Sequence, residues 1–309
     1  MKRAALISNP RAGIKNAQRP RQIDEAVRSL RSAGIAAALH FTSNPGDGER
    51  LARAAVNAGY ELIIVCGGDG TINEVINGMG PTQIPLAILP SGTANIVARE
   101  LGLPGNILKA ARQLPQWLPH RISLGRARWE EAESPRQRYF LAVAGVGFDA
   151  RIISQLNIPM KLRLGILAYG WAALRQAFRC GFPVFQCTAN GARVSATFAV
   201  IQRSSRYAGW LRLAGPRSLQ DSDFSCCFFT GTSRMRYFLY ALSILTQTHH
   251  RLHDVSFLRC SRVTCDSAKA GQDVYFEVDG EMAGQIPITF EIVPDALTLL
   301  APRAFRPSA

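Results

Sequence analysis

The chain has 309 residues, 47% hydrophobic and 19% charged, which excludes a disordered polypeptide and favours two domains over one. Its 36 Lys and Arg stand against 22 Asp and Glu, and the formal net charge of +14 selects an anionic partner: a nucleotide, a nucleic acid or an anionic membrane surface. The first ten residues hold no signal-type apolar stretch, and the apolar runs at 164–174 and 237–245 fall short of the ~18 residues a membrane span needs, so a cytoplasmic chain is expected.

In chain order, residues 4–8 read as a short strand followed by the breaker-rich turn Asn9-Pro-Arg-Ala-Gly13. Ile23, Ala26, Val27 and Leu30 are spaced for a helix over 23–33 that ends at Gly34. Residues 35–41 read as a second strand, 42–48 as a polar loop and 49–58 as a second helix ended by Gly59. The run 62–66 is apolar enough to be buried on both faces, the pattern of a parallel strand. It feeds Gly67-Gly68-Asp69-Gly70-Thr71 into a helix predicted from about Thr71 to Gly78. Backbone N–H groups and the positive end of the helix dipole then converge on one point that suits a phosphate.

This loop lacks the Lys of a Walker P-loop, and Gly68-x-Gly70-x-x-Asn73 lacks the third glycine of the dinucleotide fingerprint. A carboxylate at Asp69 repels a bare phosphate, which points to a Mg-nucleotide. The competing structural reading makes Asp69 a helix cap and Thr71-x-x-Glu74 a capping box. Residues 84–89 and Pro90-Ser91-Gly92-Thr93-Ala-Asn95 repeat the device one βα unit later, with a helix closed by Gly102. These units specify a doubly wound parallel sheet, with Asn9 to Gly13, Thr42, Gly67 to Thr71 and Ser91 to Thr93 crowded at its carboxyl edge. Taken singly, Thr42 and Ser91 also suit ordinary loop or cap roles.

After Leu103 the pattern changes. Residues 115–119 read as a linker between a nucleotide-binding α/β domain (1–118) and a β-rich domain (119–309), whose extreme C-terminus could pack back on the first. Short β-type runs follow at 122–128, 139–144, 184–188, 196–202, 224–229, 255–258, 274–278 and 286–293, the pattern of an antiparallel sandwich. One helix, 162–179, is predicted to interrupt them; it is apolar nearly all round with arginines at its ends, so it is either core or an acyl-chain lining shared with loop 154–160. Asp279-Gly280 is a hairpin signal. His249-His250-x-x-His253 lacks the Glu of a zinc protease motif and reads as a helix end. Seven cysteines without a CxxC pair fit free, mostly buried thiols in a reducing compartment. Arginines without interleaved aromatics give no expectation of nucleic acid.

Three signatures together resemble the diacylglycerol kinase catalytic-domain family, which includes sphingosine kinases and related bacterial lipid kinases. They are Gly67-Gly-Asp-Gly-Thr-x-Asn-Glu74, Pro90-Ser-Gly-Thr-Ala-Asn95 with Ala98-Arg-x-Leu-Gly102, and Val278-Asp-Gly-Glu281. Asn9-Pro-x-x-Gly13, Ala144-Gly-Val-Gly-Phe-Asp-Ala150 and Leu164-Gly-x-Leu-Ala-Tyr169 add to the match, which spans nearly the whole chain. The first signature alone is shared with NAD kinases and phosphofructokinases.

The resemblance implies a fold of class α/β plus β: an N-terminal doubly wound parallel α/β nucleotide-binding domain and a C-terminal antiparallel β-sandwich-like domain, with the active site between them. It further implies an ATP- and Mg²⁺-dependent kinase acting on a lipid at an anionic membrane surface, peripherally bound, with a homodimer left open. Residue by residue, Asn9, Thr42, Gly67, Gly68, Asp69, Gly70, Thr71, Glu74, Ser91, Gly92 and Thr93 match nucleotide-contacting positions. Asp279 matches the proposed general base and Glu281 a nucleotide- or metal-side carboxylate.

The chain departs from the family pattern at Tyr207-Ala-Gly-Trp and at Asp221-Ser-Asp223-Phe-Ser225, where a glycine is lost. Relatives can hold a second, structural cation around that Asp pair, and here Asp221 and Asp223 read equally as solvated turn residues. Two alternatives stay open: a soluble-substrate kinase of the NAD kinase type, and an inactive lipid- or nucleotide-binding module.

Overall fold

The computed structural model describes residues 2–13, 18–148, 182–205, 207, 211–213, 215, 218–269 and 271–305; the predicted helix 162–179 and loop 154–160 lie outside them. The chain folds as two compact units, Met1–Leu124 with Pro294–Ala309, and Gly125–Val293.

The first unit alternates strands and helices: β1 (Lys2–Ser8), α1 (Arg19–Ser32), β2 (Ile35–Phe41), α2 (Asp47–Asn57), β3 (Leu62–Gly67), α3 (Asp69–Met79), β4 (Pro85–Pro90), α4 (Ile96–Glu100) and α5 (Ile107–Gln113). The strands pair in parallel in the order β2-β1-β3-β4. Residues 294–301, the last part of β16 (Ile288–Ala301), add a further parallel strand beside β4, with Thr298 opposite Pro85. Ser8 lies opposite both Phe41 and Cys66, and Gly67 lies opposite Pro90, so the four strands end nearly level. The chain steps outward from β1 to β2 and then, beyond β3, outward the other way to β4. The reversal falls between β1 and β3, which is where an open α/β sheet leaves a crevice at its carboxyl edge.

One face of the sheet buries Ala4, Leu6, Leu62, Ile64, Ala87 and Leu89 against α1 and α5. Strand alternation turns the intervening residues to the other face, where α2 and α3 pack. Helix α1 starts before the predicted residue 23, because Pro20 is pre-set to helical φ in its first turn. Helix α5, absent from the sequence reading, is capped by the Asn106 side chain, which accepts from Leu108 N and Lys109 N. The expected linker at 115–119 is instead a 3₁₀ turn, Leu114–Gln116, running into β5 (Leu118–Glu131). Buried Leu114 and Trp117 anchor that stretch in the α1–α5 core, and the prolines there are compatible with the turn and strand start.

In the second unit, β6 (Ser134–Phe140), β7 (Val143–Gly147), β8 (Phe185–Ala189), β9 (Ala192–Ala196), β10 (Phe198–Gln202), β11 (Phe224–Phe229), α6 (Arg234–Leu245), β12 (Val255–Cys260), β13 (Arg262–Ser267), β14 (Tyr275–Val278) and β15 (Glu281–Gln285) follow. One antiparallel sheet runs β12-β11-β10-β7-β14-β15. A second antiparallel set pairs β13 with both β8 and residues 288–291 of β16, and β8 with β9. Phe185, Phe224, Phe276 and Phe290, contributed by both sets, share one buried core with Phe140 of β6, which pairs with β5, the sandwich-like arrangement expected from the short strands.

The predicted strand 139–144 is two strands, broken at Leu141–Ala142. Strands β9 and β13 escaped the sequence reading because their residues are largely polar or solvent-facing, and β15 because its short run is half-buried without alternation. The helix expected to end at the His249–His253 motif is α6, capped by Ser233; it ends earlier, at Leu245, and His249 sits in a separate 3₁₀ turn, buried with Nε2 2.9 Å from Leu213 O.

Candidate active site

The level strand ends of the first unit are extended one residue by backbone hydrogen bonds: Asn9 N to Cys66 O (2.9 Å), Thr42 N to Ser8 O (3.0 Å) and Ser91 N to Gly67 O (3.0 Å). Four loops are thereby fixed side by side. Asn9, at the switch point, donates from Nδ2 to Thr71 Oγ1 (3.0 Å) and accepts at Oδ1 from Arg11 N (2.9 Å), tying its own loop to the start of α3.

The two glycine turns touch through their backbones. A Cβ on Gly92 would lie 2.5 Å from Gly68 Cα and 2.8 Å from Asn95 Oδ1, so glycine there is a requirement of close approach. Asn95, in the left-handed region at φ 48°, closes the second turn on itself: its Oδ1 accepts from Gly92 N (2.9 Å) and its Nδ2 donates to Gly92 O (3.0 Å).

Asp69 and Glu74 take partners that the sequence did not suggest. Helix α3 begins at Asp69 with Gly68 as its N-cap and no capping side chain, so neither the Asp69 cap nor the Thr71–Glu74 capping box forms. The Asp69 carboxylate instead accepts from Val97 N (3.3 Å), joining the first glycine turn to the helix that follows the second. Glu74 accepts from Gly46 N (3.0 Å) and Gly48 N (2.9 Å), fixing the loop into α2. Beneath the turns, Ser8, Cys66 and Ser91 are buried together; burial pushes the Cys66 thiol up, against the opposing pull of the two serine hydroxyls. Buried Arg19 donates to Ala12 O and to Ser91 O (3.2 Å), bracing the first loop against the last. Nothing in the sequence around Arg19 marked it for this role.

The second unit carries Asp279. Positive φ at both Asp279 (48°) and Gly280 (84°) makes the β14–β15 connection the Asp-Gly hairpin turn that the sequence signals. The Asp279 carboxylate accepts three backbone N–H groups from the break between β6 and β7: Leu141 N at Oδ2 (2.9 Å), and Ala142 N (2.9 Å) and Val143 N (3.1 Å) at Oδ1. Its own N–H donates to Val143 O (2.8 Å). Buried Glu277 accepts from Gly280 N (2.7 Å) and stiffens the same turn. Glu281 is ion-paired with Arg138 on β6. Asp221 accepts from Ser218 N (3.1 Å), and Asp223 is gripped in bidentate fashion by Arg259 Nε (2.8 Å) and Nη2 (3.1 Å). Among the described residues no cluster of three His, Cys, Asp or Glu could hold a metal ion.

Paired glycine turns at the switch point of a parallel sheet and an antiparallel sandwich on the same chain define a two-unit α/β-plus-β architecture. Residues 3–127 match the diacylglycerol kinase catalytic domain and residues 142–301 the YegS C-terminal NAD kinase beta sandwich-like domain, and the chain belongs to this family of lipid kinases. It is 26% identical over 295 residues to the diacylglycerol kinase of Bacillus subtilis (strain 168), covering 94% of this chain and 93% of that one. It is 30% identical over 303 residues to a protein of Chromohalobacter salexigens named probable lipid kinase YegS-like, covering 93% and 91%. The fold is similar to the crystal structure of a diacylglycerol kinase from Bacillus anthracis str. Sterne, with a TM-score of 0.76 at 22% identity over 99% of this chain and 98% of that one. No helix among the described residues is long and apolar enough to cross a membrane.

Proposed function

We propose that this lipid kinase transfers the γ-phosphoryl group of ATP to the hydroxyl of a membrane lipid such as diacylglycerol. The observation that supports the reading is Asp279, a carboxylate on a hairpin oriented by three backbone N–H groups, and in this reading it takes the hydroxyl proton as general base. The glycine turns and Asn9 hold the triphosphate, since positioning and charge neutralisation supply most of the rate of phosphoryl transfer. Asp69, a hard oxygen donor at the start of α3, fits Mg²⁺; when bound, the ion neutralises phosphate charge.

Membrane contact of a peripheral kind finds its support on α6. Met235, Phe238, Leu242 and Leu245 are exposed by 76, 53, 49 and 48% and recur at the spacing of one helix face. Residues 230–262 around them hold five arginines and one acidic residue, Asp254, which is itself paired with Arg236. An exposed apolar row on a helix within a net-basic stretch fits an anionic bilayer surface.

The test of the reaction is radiolabelled ATP offered with diacylglycerol in mixed micelles and, separately, with NAD. Labelled lipid is expected; phosphorylated NAD beside untouched lipid would overturn the reading in favour of a soluble-substrate kinase.

A further inference from the structure

At the end of β10, Arg203 is fully buried inside the second unit. Its Nη2 donates to two backbone carbonyls of one turn, Leu219 O (2.8 Å) and Asp221 O (3.1 Å). Its backbone N–H and that of Ser204 both donate to Ala142 O (2.8 and 3.1 Å), while Ala142 N is one of the three donors to Asp279. Arg203 therefore stands between the 218–221 turn and the backbone cradle of the candidate base.

The structural cation that relatives can hold around the Asp pair does not fit these residues. Calcium or magnesium would need several oxygens converging at about 2.0–2.6 Å. Here the carbonyls of 219 and 221 receive a guanidinium, the Asp221 carboxylate accepts from Ser218 N, and Asp223 is held by Arg259. A dication beside a fixed buried guanidinium is also repelled, in surroundings that screen charge poorly.

We infer that the Arg203 guanidinium is the built-in cation of this turn, so that a side chain supplies what a divalent ion would otherwise supply, and that Arg203 acts as a positioning residue for Asp279. The first half is independent of the proposed reaction; the second rests on it.

The experiment is thermal unfolding of the nucleotide-free protein, titrated with Mg²⁺ and with Ca²⁺, for the wild type, Asp221→Asn, Asp223→Asn and Arg203→Met. The wild type is expected to show no cation-dependent rise in Tm, or only a rise that survives both Asp substitutions and so arises elsewhere. Arg203→Met should lower Tm by about 5 °C, since two carbonyls lose their donor. It should also lower kcat with little change in the KM for ATP, the mark of a residue acting through Asp279. A wild-type rise in Tm that either Asp substitution abolishes would overturn the inference, as would an Arg203→Met protein with unchanged Tm. Unchanged kcat in a destabilised Arg203→Met protein would overturn the positioning role alone, and a failure of lipid phosphorylation in the wild type would overturn the proposed reaction while leaving the cation result standing.

Discussion

Replacing Asp279 by Asn tests the base and its cradle together. The left-handed backbone at φ 48° tolerates Asn, so the turn itself is not strained. An amide has only one acceptor oxygen, however, where the carboxylate uses both. The least costly orientation keeps that oxygen on Ala142 N and Val143 N and sets the amide NH₂ against Leu141 N–H, donor facing donor. An orphaned donor costs about 1–3 kcal/mol, and each of the two remaining bonds loses its ionic assistance, about 1 kcal/mol apiece. The sum, about 3–5 kcal/mol, corresponds to a fall in Tm of roughly 10 °C for a unit of this size. If Asp279 is also the base, turnover of the folded protein falls by about 10²–10⁴. Differential scanning fluorimetry reads the first quantity and radiolabelled phosphate transfer, well below the lowered Tm, reads the second. An unchanged Tm would refute the three-donor cradle; near-normal turnover of the folded protein would refute the base.

Gly92→Ala should separate the two glycine turns, because its Cβ lies about 1 Å short of ordinary van der Waals separation from Gly68 Cα. A displacement of that size at the triphosphate should cost about 10² in kcat/KM for ATP, while Gly105→Ala, with nothing within 4 Å, serves as the unaffected control. Asp47, held down to about 2 by the Ser43 and Asn44 N–H groups and Arg50, stabilises its loop fully above its usual value of 3.8 and loses that contribution as pH falls toward 2. Asp47→Ala should remove this part of the acid dependence in pH-jump unfolding, and an identical profile in both proteins would refute it. The pair Phe238→Glu and Leu242→Glu should abolish sedimentation with phosphatidylglycerol vesicles and leave the kinase active on short-chain lipid in detergent; unchanged sedimentation with an altered oligomeric state would reassign the α6 face to a second copy of the chain.

The parts of this protein legible in the sequence are those whose signal is local. The apolar run 62–66 and the glycines that follow it state a buried parallel strand and a turn within a dozen residues, and Asp279-Gly280 states a hairpin in two. In the second unit the strands buried along their whole length, such as β10 and β11, were the most legible. β9 exposes most of its residues and four of the five in β15 are half-buried with no alternation, so their pairing rests on backbone hydrogen bonds that leave no periodicity behind.

What the tertiary structure alone decided is where the charged groups point. Asp69 reads as a cap for its own helix, yet its carboxylate accepts from an N–H 28 residues further on, because the close backbone approach of Gly68 and Gly92 brings the two turns together. Arg19 and Arg203 look like any other arginines in a chain of net charge +14, yet both are buried and both donate to backbone carbonyls. Every residue has such a carbonyl whatever its side chain, so nothing in the sequence can mark which ones an arginine will meet; only the folded path of the chain selects them.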